Sequence, residues 1–207
     1  MMVRFIGSRR LIATLGVLAL ARSAAAQSRQ LFSVQGAAML TSLQGDAFDL
    51  LRIGTGFGGE VQLRLNPGPF SLGAGVQMTR HSSTSQGLTN NAVLSGLFFE
   101  PRYAIAVSSR IVRPYVAGRV ALMSQRTDLG DIGGTLPVKA NALAYGVGGG
   151  FVARINGHVG FDLGAALTSL NFGDFKYRDT GATSGIDAGS GTMFVLKAGF
   201  NLGLGKD

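Results

Sequence analysis

The sequence predicts an all-β fold, an eight-stranded antiparallel up-and-down transmembrane β-barrel. Its mature part contains eight stretches of about ten residues in which apolar side chains alternate with small or polar ones, as in strands whose two faces meet different surroundings. The connecting segments are alternately short and long, an asymmetry typical of barrels that span a bilayer. Only 14% of the residues are charged and 32 are glycine, which is sparse charge for a water-soluble domain.

The N-terminal segment, residues 1–26, is predicted to be a secretory signal peptide. Three arginines in the first ten residues precede an uncharged apolar run over 11–21 and the small-residue motif Ala24-Ala25-Ala26. The apolar run is shorter than the roughly 20 residues of a membrane-spanning helix. We therefore expect export, cleavage of this segment and one mature domain over 27–207, located in the outer membrane.

Charge and cysteine content exclude several classes of function. Removing the signal peptide takes away four arginines and no acid, so the formal net charge falls from +8 to +4. The remaining excess is not clustered, which argues against a nucleic-acid partner, since nucleic-acid binding needs a concentrated basic surface. The chain has no cysteine, so a disulfide framework, a thiolate metal site and a cysteine nucleophile are excluded.

The predicted strands follow from the alternation and from the turn residues that separate them. They cover residues 31–42, 57–66, 70–81, 93–106, 112–125, 143–155, 159–171 and 192–204. Three short connections carry residues that close hairpins: Pro67-Gly68-Pro69, 107–111 and Asn156-Gly157-His158.

The other four connections are predicted to be long loops. They cover residues 43–56, 82–92, 126–142 and 172–191. Barrels of the outer membrane have short periplasmic turns and longer extracellular loops. Both termini are therefore expected on the periplasmic side, and the four loops are candidate contacts for an extracellular partner.

The two faces of each predicted strand differ in polarity. In the second strand, one face carries Phe57, Val61 and Leu63, and the other carries Glu60 and Arg64. A soluble periplasmic barrel enclosing a hydrophobic ligand would show the same alternation with its apolar face inward. The second faces are mostly Gly, Ala, Ser and Gln, whereas a sheet exposed to water should be rich in Lys, Glu and Thr. We therefore predict that the apolar faces contact lipid and the others line a narrow lumen.

The alternation also places eight charged residues in the lumen. Counted from the periplasmic turns, they form a middle layer of Glu60, Glu100, Arg119 and Lys197 and a lower layer of Arg64, Arg102, Arg154 and Asp162. Buried ionised groups must be paired or hydrated. Two hypotheses follow, a salt-bridge network that fills the lumen or the charged constriction of a narrow pore for small solutes or ions. The narrow lumen of an eight-stranded barrel favours the network.

A basic rim is predicted near the outer end of the barrel. Its members are Arg80, Arg126, Lys139, Lys176 and Arg178. These cations are expected to contact the phosphates of lipopolysaccharide, because guanidinium and ammonium groups bind anionic headgroups.

Three further features concern the strand ends and loops. Near the inner end, Phe70, Tyr103 and Tyr115 predict an aromatic girdle at the membrane interface. Pro101 falls within the fourth strand, where it cannot donate a ladder hydrogen bond, so a bulge is expected there. Seven aspartates in the predicted loops lack the spacing of a calcium loop, so no metal or other cofactor is expected: Asp46, Asp49, Asp128, Asp131, Asp174, Asp179 and Asp187.

Three motifs carry a resemblance to a known family. They are Phe99-Glu100-Pro101-Arg102-Tyr103, Arg113-Pro114-Tyr115-Val116-Ala117-Gly118 and Gly146-Val147-Gly148-Gly149-Gly150. With them, the chain resembles the small outer-membrane β-barrel domain family of Gram-negative bacteria over most of its mature length. The resemblance implies the fold, an integral barrel surrounded by outer-membrane lipid. We expect the protein to be non-enzymatic, and either structural in the envelope or acting through its loops.

The last strand is similar to the signal that family members present to the barrel-assembly machinery. Lys197 and Gly199 fit the pattern, and Leu202 and Leu204 replace the usual aromatic residues. The resemblance implies that this machinery is a partner of the chain.

The triplet His81-Ser82-Ser83 resembles the His-x-Ser motif of outer-membrane lipid A deacylases. That resemblance implies an alternative function, a lipid A-modifying hydrolase in which His81 activates Ser83. The mechanism needs a third group to orient the histidine. No acid follows closely in the sequence, and the alternation points His81 into the lumen.

Overall fold

A computed structural model provides the structure of the protein. It describes residues 31–49, 53–85, 88–109, 111–131, 134–177, 180–183 and 188–204. The predicted signal peptide lies outside the described residues, so its cleavage stays a prediction.

Nine strands and one short helix make up the described chain. They are β1 (Phe32–Gln44), α1 (Asp46–Asp49), β2 (Thr55–Leu65), β3 (Phe70–Ser85), β4 (Leu88–Ala104), β5 (Val112–Asp131), β6 (Gly134–Arg154), β7 (Val159–Phe172), β8 (Lys176–Tyr177) and β9 (Ser190–Leu204). All pairings are antiparallel, in the order β5-β4-β3-β2-β1-β9-β7-β6, and a β5–β6 pairing closes the cylinder. The predicted eight-stranded barrel is confirmed, and the two-residue β8 is an addition beside β6.

Two of the four predicted long loops are wrong. Most of 82–92 belongs to the hairpin of β3 and β4, which pair as far as Ser85 and Leu88. Most of 126–142 belongs to the hairpin of β5 and β6, which pair as far as Asp131 and Gly134. Ser, Thr and Asn side chains do not prevent ladder pairing, and strands of 20 and 21 residues exceed the roughly 9–11 residues that cross a bilayer. These hairpins therefore extend beyond the membrane. We call this end of the barrel the loop end and the opposite end the turn end.

The other two predicted loops contain small elements of structure. Residues 43–56 include the end of β1 and the helix α1, which begins after Gly45 at a φ of 107°. Residues 172–191 include β8, which pairs with Val138 and Lys139 of β6. No helix in the described residues is both long and apolar enough to cross a membrane.

The outer surface of the barrel is an apolar belt. Side chains such as Val147, Phe57 and Leu63 are 70%, 67% and 65% exposed, while their neighbours along each strand point inward. Exposed apolar area on this scale is unfavourable in water and matches the hydrocarbon of a bilayer. The predicted orientation, with apolar faces outward, is the one found.

The interior of the loop-end half is packed with apolar side chains. Phe48 of α1 is fully buried and meets the ring of Phe172 edge-on, with ring centroids 5.7 Å apart. A Cβ at Gly191 would lie 2.3 Å from the Phe48 ring, so only glycine leaves space for it. Met193 and Leu170 complete this layer beneath the loops. The helix thus inserts an aromatic ring that closes the loop end.

Pro101 lies in β4 without the predicted bulge. The β4–β5 pairing is interrupted at Glu100 and Pro101, but it resumes at Arg102 in unchanged register. The facing residue is Gly118, where an added Cβ would lie 3.9 Å from the proline ring. The proline ring therefore has room beside Gly118, and the strand contains no extra residue.

The charged cluster as the candidate functional site

Seven ionised side chains meet in the turn-end half of the interior. They come from β2, β4, β5, β7 and β9, and each is at most 8% exposed: Glu60, Arg64, Glu100, Arg102, Arg119, Asp162 and Lys197. We call this group the charged cluster. All its members occupy inward positions of strands whose alternate side chains face outward. The alternation of side chains along each strand therefore directs them to the barrel axis.

Glu100 is the centre of the charged cluster. Its Oε1 accepts hydrogen bonds from Arg64 Nη2 at 2.8 Å and from Arg102 Nε at 2.7 Å. Its Oε2 accepts from Arg119 Nε at 2.9 Å and from Lys197 Nζ at 3.1 Å. One carboxylate therefore faces four cations from three other strands and its own.

Two further acids balance the outer members of the charged cluster. Glu60 lies 3.1 Å from Lys197 Nζ and 2.8 Å from Arg119 Nη2. Asp162 accepts a hydrogen bond from Arg102 Nη1 at 2.5 Å and another from the Tyr115 hydroxyl at 2.9 Å. Four cations thus face three carboxylates, all withdrawn from water.

Uncharged amides extend the network to the barrel wall. Arg119 Nη1 donates to Gln77 Oε1 at 2.7 Å, and Arg64 Nη2 donates to Gln62 Oε1 at 2.8 Å. Gln62 Nε2 in turn donates to Gln35 Oε1 at 2.9 Å. These bonds fix both guanidinium groups, since a buried donor left without an acceptor is costly.

Two glycines, Gly150 of β6 and Gly164 of β7, lie beside the Tyr115 hydroxyl. A Cβ at Gly150 would lie 2.8 Å from the Tyr115 hydroxyl oxygen, and one at Gly164 would lie 2.6 Å from it. The absence of these Cβ atoms lets the phenol reach Asp162. Gly150 therefore serves close packing inside the barrel.

The structure brings together seven of the eight charged residues assigned to the lumen. Arg154 is the exception, because it is exposed at the turn end and contacts no acid of the cluster. The predicted position of Tyr115 in the aromatic girdle is wrong, because its side chain is inside the barrel and 5% exposed. Tyr115 lies four residues before Arg119 and is therefore on the same face of β5. This even spacing in the sequence identifies Tyr115 as an inward residue. Phe70 and Tyr103 do lie outside, with ring centroids 5.0 Å apart.

The charged cluster is a buried network of ion pairs. Every carboxylate in it is paired with a cation, and its members are desolvated and hydrogen-bonded from several strands. Ion pairs that join different strands in this way favour one strand register. Among the described residues, no group of three or more His, Asp or Glu side chains is arranged to hold a metal ion.

His81 occupies a separate position near the loop end. It is 2% exposed, its Nε2 lies 3.0 Å from Thr79 Oγ1, and its Nδ1 lies 3.2 Å from the carbonyl oxygen of Gly54. A Cβ at Gly56 would lie 2.3 Å from the imidazole, so the ring packs on that glycine. Both ring nitrogens thus have polar neighbours within the barrel wall. His81 therefore contacts β3 and the segment that precedes β2.

Four of the five predicted rim cations lie in one line across the outer surface. Cross-strand pairing runs from Arg80 to Val93, from Val93 to Arg126, from Arg126 to Lys139, and from Lys139 to Lys176. All four cations point outward. We call them the basic row. Arg178 lies outside the described residues.

Comparisons with known proteins agree with this architecture. The sequence profile of the outer membrane protein beta-barrel domain matches residues 11–205. The crystal structure of Neisserial surface protein A is similar with a TM-score of 0.59 at 17% identity, covering 84% of this chain and 97% of that one. The structure of Ail, the attachment invasion locus protein of Yersinia pestis, is similar with a TM-score of 0.50 at 13% identity, covering 83% and 97%. No curated protein matches the sequence.

Proposed function

The chain belongs to the outer membrane protein beta-barrel domain family, and from this premise we propose that it is a non-enzymatic, non-conducting structural barrel of the envelope. We propose further that its basic row binds lipopolysaccharide phosphates in the outer leaflet. The observation that carries this proposal is the direct apposition of cations in the row. Its interior, filled by the charged cluster and the apolar layer above it, supports a structural role.

The basic row is unfavourable without an anionic ligand. Arg126 is directly opposite Lys139, and Lys139 is directly opposite Lys176. Like charges at such positions destabilise a sheet by about 0.2–1 kcal/mol for each pair. No ion pair joins these side chains to a described acidic side chain. A phosphate between neighbouring cations would convert this repulsion into attraction.

The height of the basic row suits a lipid headgroup. On β6, Lys139 follows the last outward apolar residue, Leu143, towards the loop end, with only Asn141 between them on that face. The row therefore lies where the apolar belt gives way to polar surface. Anionic headgroups occupy this depth, and each Lys or Arg there contributes about 1 kcal/mol of attraction.

Removing two members of the basic row should change the stability of the barrel in opposite directions in two different lipids. In vesicles with lipopolysaccharide in the outer leaflet, Lys139→Gln with Lys176→Gln is expected to lower the free energy of unfolding by about 2 kcal/mol. In phosphatidylcholine vesicles, the same pair of changes should raise it by a few tenths of a kcal/mol, because repulsion is relieved. Urea titration followed by far-ultraviolet circular dichroism measures both values.

The matched control is Arg154→Gln, which removes a cation at the turn end. It should show no dependence on lipopolysaccharide in oriented vesicles. A double variant that is equally stable, or equally destabilised, in both lipids would overturn the proposed lipid contact. High salt should reduce the difference in the double variant's stability change between the two lipids, since salt screens exposed charges.

The remaining expected partners stay predictions. The hairpins β3–β4 and β5–β6 project from the membrane and offer surface to an extracellular partner. The last strand keeps the residues that resemble the assembly signal, although Leu202 and Leu204 stand at its aromatic positions. A lipid A hydrolase would require His81 to leave its contacts with Thr79 and Gly54, so we do not assign that activity.

A further inference from the structure

The turn end of the barrel contains an open cavity of about 180 Å³. We call it the vestibule. It lies between the charged cluster and the turns that join β4 to β5 and β6 to β7. Its lining includes Arg64, Arg102, Arg113 and Arg154, and the described residues that line it include no carboxylate. Four guanidinium groups therefore surround one small space.

Two of these arginines keep donors that the described protein does not satisfy. Arg64 Nε and Arg102 Nη2 are buried and have no hydrogen-bond partner. Their side chains are 2% and 4% exposed, so neither can turn freely into bulk water. An unsatisfied buried donor is unfavourable, and a charged one more so. Both side chains line the vestibule, so an anion held there would offset part of this cost through its charge.

Within the charged cluster beside the vestibule, four cations face three carboxylates. Arg64 and Arg102 share Glu100, and Arg102 also holds Asp162. Arg154 adds a further positive charge at the exposed mouth. The cavity volume exceeds by about tenfold the ~10–15 Å³ that one water molecule requires. It therefore has room for a small anion together with water.

We propose that the vestibule binds a phosphate group presented from the periplasmic side. Guanidinium forks match phosphate oxygens in pairs. A tetrahedral dianion offers four oxygens and two charges to the four arginines, whereas a single carboxylate offers two oxygens and one charge. This site lies at the opposite end of the barrel from the basic row and is independent of the lipid contact proposed for that row.

Calorimetric titration of the folded protein with inorganic phosphate tests this proposal. The protein is held in zwitterionic detergent, and chloride keeps the ionic strength constant. We expect saturable binding of one phosphate per barrel. Arg154→Gln should raise the Kd at least about tenfold, because a charge-assisted hydrogen bond is lost, and Arg113→Gln should change it in the same direction. Both residues lie outside the charged cluster, and circular dichroism verifies that each variant is folded.

Two comparisons make the result specific. Acetate should bind more weakly than phosphate, and Lys139→Gln with Lys176→Gln should leave the phosphate Kd unchanged. The proposal fails if the native protein shows no saturable binding or if both arginine variants bind phosphate as the native protein does. It also fails if acetate binds as tightly, or if phosphate binding disappears with the basic row.

Discussion

Glu100→Gln is expected to lower the free energy of unfolding by about 3–5 kcal/mol, the usual cost of breaking a buried ion pair from one side. The change removes the one carboxylate that faces Arg64, Arg102, Arg119 and Lys197. The charged cluster would then hold four cations against two acids in a buried site. Urea unfolding in detergent micelles, followed by far-ultraviolet circular dichroism, measures the loss.

A second change separates the charge imbalance from the loss of hydrogen bonds. Lys197→Met removes one cation, so the double variant Glu100→Gln with Lys197→Met restores the native net charge of the cluster. We expect this double variant to recover part of the lost stability, which gives a coupling energy of about 0.5–3 kcal/mol. Asp174→Asn, at an exposed loop acid, is the control and should change little. A Glu100→Gln protein as stable as the native one would show that the cluster does not hold the barrel together.

Val147→Arg is expected to destabilise the barrel by about 2–4 kcal/mol in a bilayer, the cost of a cation on the lipid face near the midplane. Val147 is 70% exposed on the apolar belt, seven residues from the turn-end limit of β6 at Arg154. An arginine there must either leave water or deform the bilayer. Unfolding titrations in phosphatidylcholine vesicles compare the variant with the native protein.

Asn141→Arg, which also introduces an arginine, is the matched control. Asn141 lies on the same face of β6, about 20 Å nearer the loop end at the usual strand rise. An arginine at the interface costs about 0–1 kcal/mol, so Asn141→Arg should unfold almost as the native protein does. Equal effects at Val147 and Asn141 would mean that the outer surface of the barrel is not immersed to the predicted depth.

The alternation of side chains along each strand accounts for most of what the sequence predicts about the candidate site. Because side chains alternate strictly along a strand, the sequence places Glu60, Glu100 and Lys197 on inward faces without knowledge of their neighbours. It does not reveal that Lys197 lies between the two glutamates, because that contact depends on the register between strands far apart in the chain. The balance of acids and bases in the lumen is therefore predictable, but the pairing is not.

The errors have identifiable physical causes. Polar residues between 82 and 92 and between 126 and 142 favour loops by composition, but extended hairpins satisfy their backbones through pairing. The helix α1 has four residues, too few to show a helical period, so the burial of Phe48 leaves no pattern in the sequence. Tyr115 was misplaced because its aromatic character outweighed its parity.

We propose that the interior of this outer-membrane barrel is sealed, by Phe48 and its apolar neighbours at the loop end and by the charged cluster below them. Recordings across a planar lipid bilayer containing the purified native protein test this claim most directly. We expect the membrane current to stay at the level of protein-free lipid over a range of voltages and salt concentrations. Discrete conductance steps that change when Glu100 or Arg119 is replaced would contradict the claim and identify the interior as a pore.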